Sequence, residues 1–188
     1  MGSPKALLAY QGRPFLEHLL EVTVHPKIGV RRVVLGAHAE PIAKNISLAA
    51  DEIVINENWE SGQLSSIQAA IRSLPAKAGL PASDGLLLCL IDHPLISSAL
   101  VHDLIEQFYA ASRAQIVLPV YETRRGHPVI FPAELYEELL RAPADKGARA
   151  VVWAHDADVL EVRTNEEGCV LNLNDPETLY RATRPPPD

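Results

Sequence analysis

Apolar residues recur along this chain in short runs with two alternating periods. Continuous or every-second-residue runs at 31–37, 51–55, 85–91, 114–120, 127–131 and 158–162 predict strands, and a further alternating stretch predicts one at 168–173. Between them, apolar positions three and four apart predict helices at about 14–24, 39–48, 62–74, 97–112, 132–141 and 147–155. Start signals such as Pro14 and the Ser97–Ser98 pair support several of these. Strands alternating with helices imply an α/β fold of three layers, a mostly parallel sheet with helices on both faces. The segment 74–85 reads as a surface loop, and the Pro-rich end cannot continue a helix. With no internal repeat and no linker, the expectation is one domain over 1–182 and a tail at 183–188.

Composition narrows the function. At 188 residues the chain can bury a sizeable core, and 47% hydrophobic with 22% charged residues is ordinary for a globular domain. A net charge of -7 argues against general nucleic-acid binding, which needs clustered Lys and Arg. The six-residue run "LLLCLI" is far short of a membrane span, and no signal peptide is visible, so neither membrane nor nucleic acid is an expected partner and the cytoplasm is the expected location. The two cysteines, Cys89 and Cys169, lie far apart in no metal-type spacing, and Cys89 inside the apolar run reads as a small buried hydrophobe.

Candidate chemistry should follow strands, because ligands of open parallel sheets bind beyond the strands' carboxyl ends. The most apolar run delivers Asp92, which on position is either a ligand for Mg2+ or a cap for the next turn. Asn172 and Asn174, two apart in an extended stretch, either join Asp92 as oxygen ligands or form an Asx turn. Lys5, behind Pro4, is either a phosphate contact or a solvated surface charge.

Taken together, "MGSPKALLAYQGRPFLEHLL", "NENWESGQLSSIQAAI", "DHP", "RRGHPVIF", "DKGAR" and "NLNDPETL" resemble, in order, the molybdenum cofactor nucleotidyltransferases, the MobA-like NTP transferases, nearest their cytidylyltransferase branch. The resemblance implies a Rossmann-like nucleotide-diphospho-sugar transferase fold. It also implies transfer of a nucleoside monophosphate, CMP from CTP, to a molybdopterin-type acceptor, with Mg2+ as cofactor and pyrophosphate as product. A molybdoenzyme or its chaperone would be the protein partner. By motif position, Lys5 and Asp92 resemble the catalytic pair, Asp92 and Asn174 the metal side with Asn172 beside them, and Gly2, Lys5, Asn56, Ser65 and Ser66 the nucleotide side. Arg125, His127, Asp145 and Arg149 match the acceptor side, while His93 and Trp59 read as packing or cleft wall.

Several positions depart from the family. Of its amino-terminal pattern L-A-A-G-x-S-x-R-M-G-x-P-K, only Met1, Gly2, Pro4 and Lys5 are present. The resemblance therefore implies a fold lacking its first strand, whose place would be between the strands at 31–37 and 85–91. The chain is expected to be part of a longer protein, or to fill that gap with another segment or a partner's strand. Ile91, Ala70 and Ala144 stand where the family carries Gly, and Asn172 and Asn174 where the cytidylyltransferase branch carries Asp. A sugar- or alditol-phosphate nucleotidyltransferase and a non-catalytic cofactor-delivery protein are the competing readings.

Overall fold

The structure, a computed structural model, describes residues 4–75 and 83–174. A short turn at Lys5–Leu7 leads into a two-residue-per-strand hairpin, β1 (Ala9–Tyr10) and β2 (Arg13–Pro14), and then α1 (Phe15–Val22). There follow β3 (Val33–Leu35), α2 (Ala39–Asn45), β4 (Ile53–Ile55), α3 (Gln63–Arg72) and β5 (Gly85–Leu88). The second half runs α4 (Ser98–Ala110), β6 (Ile116–Tyr121), β7 (Arg124–Arg125), β8 (Val129–Pro132), α5 (Tyr136–Arg141), α6 (Arg149–Ala154) and β9 (Val159–Thr164).

β3 and β4 pair in parallel. β8 lies antiparallel between β5 and β6, while β9 pairs in parallel with β6. β5, β6 and β9 therefore run the same way, as the expected mostly parallel sheet requires, and β8 and the two-residue β7 are reversed. Side-chain alternation builds the layers. On β6, Val117 enters a core with α1 and α4 (Leu19, Leu104, Phe108), while Ile116, Leu118 and Val120 enter one with α3, α5 and α6 (Ile67, Leu139, Val151). β8 repeats this, with Ile130 on the first side and Val129 and Phe131 on the other. Each such buried side chain stabilises by about 1.5–3 kcal/mol relative to exposure. No helix among the described residues is long and apolar enough to cross a membrane.

Two sequence expectations change. The stretch 168–173 forms no strand: Glu167–Cys169 is a 3-10 turn, followed by an extended segment that joins no ladder. β7 was not anticipated, because "RR" carries no strand signal and pairs only by hairpin return onto β6. The expected tail at 183–188 and part of the expected loop at 74–85 lie outside the described residues.

Among the described residues β3 hydrogen-bonds only to β4, and β5 only to β8. Their free edges line an apolar slot of about 760 Å³, walled by residues such as Val33, Leu35, Leu86 and Leu88, with Asp84 before β5 and Asp92 beyond it. The slot lies where the resemblance puts a further strand.

Candidate functional site

β5 is the rail that carries Asp92 to the sheet's carboxyl edge. Three contacts then assemble the site from residues far apart in sequence. The Leu173 amide donates to the Asp92 carbonyl at 2.8 Å, and the Asn172 amide nitrogen donates to Asp92 Oδ2 at 2.8 Å. The Lys5 ammonium donates to Asn174 Oδ1. Lys5 is aimed by the turn after Pro4, where Leu7 N–H bonds Pro4 O at 2.9 Å and Ala6 is buried against Leu16, Val33 and Leu35. Lys5, Asp92, Asn172 and Asn174 thus form one cluster; Gly2 lies outside the described residues.

The donor set suits a hard divalent cation. Among the described residues Asp92 Oδ1 accepts no hydrogen bond, His93 Nε2 stands 4.0 Å from it, and Asn172 and Asn174 bring amide oxygens to the same cluster. One carboxylate with neutral oxygens is the set for a cation held mainly through phosphates and water. The described residues contain no group of three His, Cys, Asp or Glu placed to hold a metal by themselves.

On the other side of the slot, Asn56 is buried, and its amide is fully used. Nδ2 donates to Ser65 Oγ at 2.8 Å and Ser66 Oγ at 3.0 Å, while Oδ1 accepts the Asn58 amide at 3.0 Å. Asn56 therefore clips the start of α3 to the loop after β4, leaving Ser66 and Gln63 to line the slot. Trp59 is 44% exposed and lies flat against Gly36, where any Cβ would come within 2.6 Å of the tryptophan side chain.

The "RGHP" element divides. Arg125 turns outward to Asp156 (2.6 Å) and Glu161 (2.7 Å), tying β7 to β9 rather than facing the site. His127 turns inward. Its amide donates to Cys169 O at 2.8 Å, and Gly126 permits the approach because a Cβ there would meet that same oxygen at 2.5 Å. Burial, with the charges of His93 and Arg149 adding to it and Asp92 opposing, lowers the His127 pKa to about 4. Arg149 opens α6, with its guanidinium 5.7 Å from the Trp153 ring centroid. Asp145 is exposed in the preceding turn and, among the described residues, makes no ion pair.

His93, read from the sequence as packing or cleft wall, is 7% exposed, and its ring lies 5.0 Å from that of His127. Nothing in the sequence links positions 93 and 127; only the antiparallel return of β8 onto β5 does. Cys169 is buried and Cys89 half-buried in the wall of the slot, and desolvation raises both thiols, to about 11 and about 12.

The chain is similar to several known proteins. Nicotine blue oxidoreductase of Paenarthrobacter nicotinovorans is 27% identical over 183 residues, 95% of this chain and 87% of the relative. The crystal structure of Rv0371c from Mycobacterium tuberculosis H37Rv superposes with a TM-score of 0.77 at 25% identity, covering 97% of this chain and 90% of that one. A complex of Rv0371c with manganese gives 0.72 at 25% identity, with coverage of 97% and 92%. The sequence pattern of the MobA-like NTP transferase domain matches residues 1–159, and the chain therefore belongs to the MobA-like NTP transferase domain family.

Proposed function

We propose that this chain transfers a nucleoside monophosphate from an NTP, CTP in the first instance, to the terminal phosphate of a molybdopterin-type acceptor, releasing pyrophosphate. The observation that supports this most is the meeting of Lys5, Asp92, Asn172 and Asn174 at the carboxyl edge of β5. An acceptor phosphate oxygen forms a bond to the α-phosphorus as the bond to the β-phosphate oxygen breaks. The acceptor is already an anion, so no strong base is needed. The site's task is to hold two anions together and offset the charge that spreads over the transferred group.

Lys5, with three donors on a flexible stem, moves from Asn174 Oδ1 to the triphosphate. Asn172 fixes the rotamer of Asp92 and leaves Oδ1 open. Arg149 and His127 meet the acceptor from the opposite side. A divalent cation, Mg2+ in this reading, would be held by Asp92 and Asn174 and would supply charge neutralisation at the phosphates. The manganese complex of Rv0371c favours a divalent ion here.

The test is pyrophosphate release with CTP, GTP or ATP, with molybdopterin or an alditol phosphate as acceptor, and with and without divalent metal. Metal-dependent release that needs CTP and molybdopterin is expected; release only with the alditol phosphate moves the acceptor class, and none with any pair refutes the reading. The likeness to nicotine blue oxidoreductase favours a second reading, reduction of a substrate by a nucleotide cofactor bound in the same cleft. Oxidation of NADH or NADPH by the chain, without pyrophosphate release, would establish it.

A further inference from the structure

The segment 166–173, which joins no ladder, runs back along 92–97 and is tied to it at both ends. At one end the Leu173 amide donates to the Asp92 carbonyl at 2.8 Å. Midway, Gly168 packs on the backbone of Leu95, where no Cβ would fit. At the other end the Glu166 carboxylate takes both donors of Ser97, the amide on Oε2 at 3.1 Å and the hydroxyl on Oε1 at 2.6 Å. The Glu166 amide itself donates to Thr164 Oγ1 at 3.1 Å, at the end of β9. We infer that Glu166 is a positioning residue of the site: by gripping Ser97 it holds the segment up to Asn174 in place, and so sets Asn172 and Asn174 against Asp92. This rests on reading Asp92 and Asn174 as the metal side.

The grip is strong and its anchor is rigid. Both bonds are charge-assisted, roughly twice as strong as neutral ones, and two donors on one residue fix the direction of the carboxylate as well as its distance. Ser97 caps α4, whose Val101 and Leu104 are fully buried. Giving its proton to Glu166 leaves the Ser97 hydroxyl with lone pairs for the Leu100 amide at 3.0 Å, so clamp and cap share one side chain without competing. Asp92 belongs to the same run as Ser97, with His93, Pro94 and Ile96 buried between them. Glu166 therefore refers the two asparagines to the body that carries Asp92. The other ties, Cys169 O to the His127 amide and Val170 O to Arg124, are single bonds to the β6–β8 side. Among the described residues the Glu166 carboxylate hydrogen-bonds to Ser97 alone, so it acts through the segment and not on a substrate. A carboxylate at the start of α4 also favours the helix dipole, but that role would stop at α4.

The placement can be read without metal, nucleotide or turnover. The whole chain is compared by NMR with Glu166→Ala, with Glu166→Gln and with Lys27→Ala, which breaks an ion pair to Glu106 farther along α4, at a temperature where melting curves show all four folded. Two signals are followed: hydrogen exchange of the Leu173 amide, and the side-chain amide of Asn172, which donates to Asp92 Oδ2. In Glu166→Ala the Leu173 amide should exchange about ten-fold faster or more and the Asn172 signal should move, while the amides of Ile116–Tyr121 hold. Glu166→Gln, which keeps an oxygen for the Ser97 hydroxyl, should recover part of both changes, and Lys27→Ala should show neither. Mn2+ affinity in the presence of CTP should fall about ten-fold in Glu166→Ala and less in Glu166→Gln. Unchanged Leu173 and Asn172 signals in a folded Glu166→Ala overturn the inference, and if its melting temperature alone falls, Glu166 is only a helix cap. Equal changes in Lys27→Ala, or Mn2+ affinity that holds in Glu166→Ala, overturn it as well. A parent chain that binds no Mn2+ with CTP counts against the reading of the site, and is seen separately from the exchange data.

Discussion

Gly168→Ala isolates the close packing that aligns the site. The Cβ would lie 2.4 Å from the Leu95 carbonyl oxygen and 2.8 Å from its carbon, both backbone atoms that no rotamer change can move. Gly168 does not have a positive φ, so the substitution adds contact without conformational strain. Restoring an ordinary contact needs the 167–169 turn and the loop after Asp92 to part by about 1 Å. Overpacking of this kind costs about 1–3 kcal/mol, which for a domain of this size lowers Tm by roughly 2–12 °C.

The same turn carries the Cys169 carbonyl that holds His127 and leads into Asn172 and Asn174. A 1 Å displacement there should lower kcat/KM for pyrophosphate release by up to about 100-fold. Gly29→Ala is the control: nothing lies within 4 Å of its Cβ position and its φ is not positive, so it should be neutral or slightly stabilising. Thermal denaturation and a coupled pyrophosphate assay read both variants. If Gly168→Ala melts within 1 °C of the parent and turns over normally, the reasoning from backbone contact is wrong.

Asp92→Ala should abolish metal-dependent pyrophosphate release while its melting curve stays near that of the parent; near-normal turnover would remove Asp92 from the site. Asn174→Ala should cause a milder loss that raised Mg2+ partly restores, and a metal-insensitive loss would assign it another role. Arg149→Ala should raise the apparent KM for the acceptor, and a rise confined to the nucleotide would contradict its placement. A version extended at its amino end by a strand and a turn, about 10–20 residues, should melt higher and bind nucleotide more tightly. An unchanged Tm and affinity would show that the slot between β3 and β5 does not take a strand.

Much of this was legible because it rests on local pattern. The run ending at Ile91 announces a strand and the place of Asp92, although β5 spans only Gly85–Leu88 and is half-buried beside the slot, and Pro14 and Ser97 mark helix starts that the structure shows at Phe15 and Ser98. Ser97 Oγ accepts the Leu100 amide at 3.0 Å, a cap written in the residue type. The segment 168–173 misled for a physical reason. Cys169 and Leu173 are buried and Leu171 half-buried while Asn172 and Asn174 are exposed, as alternation requires, but the backbone here joins the protein by single bonds such as Leu173 N–H to Asp92 O. Alternation reports burial, and strand pairing is a separate matter. Arg125 could not be placed from its motif, because Asp156 and Glu161 come to it only through the β6–β9 pairing.

The slot also divides the molecule's cooperativity. Among the described residues β3 and β4 share no ladder with the five-stranded sheet, and their own small core of Ala6, Leu16, Val33, Leu35, Ile42 and Ile46 meets the rest through α1, α3 and Ile91. Such a unit can open while β6 and its neighbours stay intact, so its amides should exchange with solvent at a lower free energy than those of Ile116–Tyr121. Lys5 rides on this unit and Asp92 on the other. A nucleotide gripped by both would join two separately melting parts, and part of its binding energy would go into quieting one of them. Nucleotide affinity would then be set as much by the fluctuations of β3 and β4 as by the contacts at the phosphates.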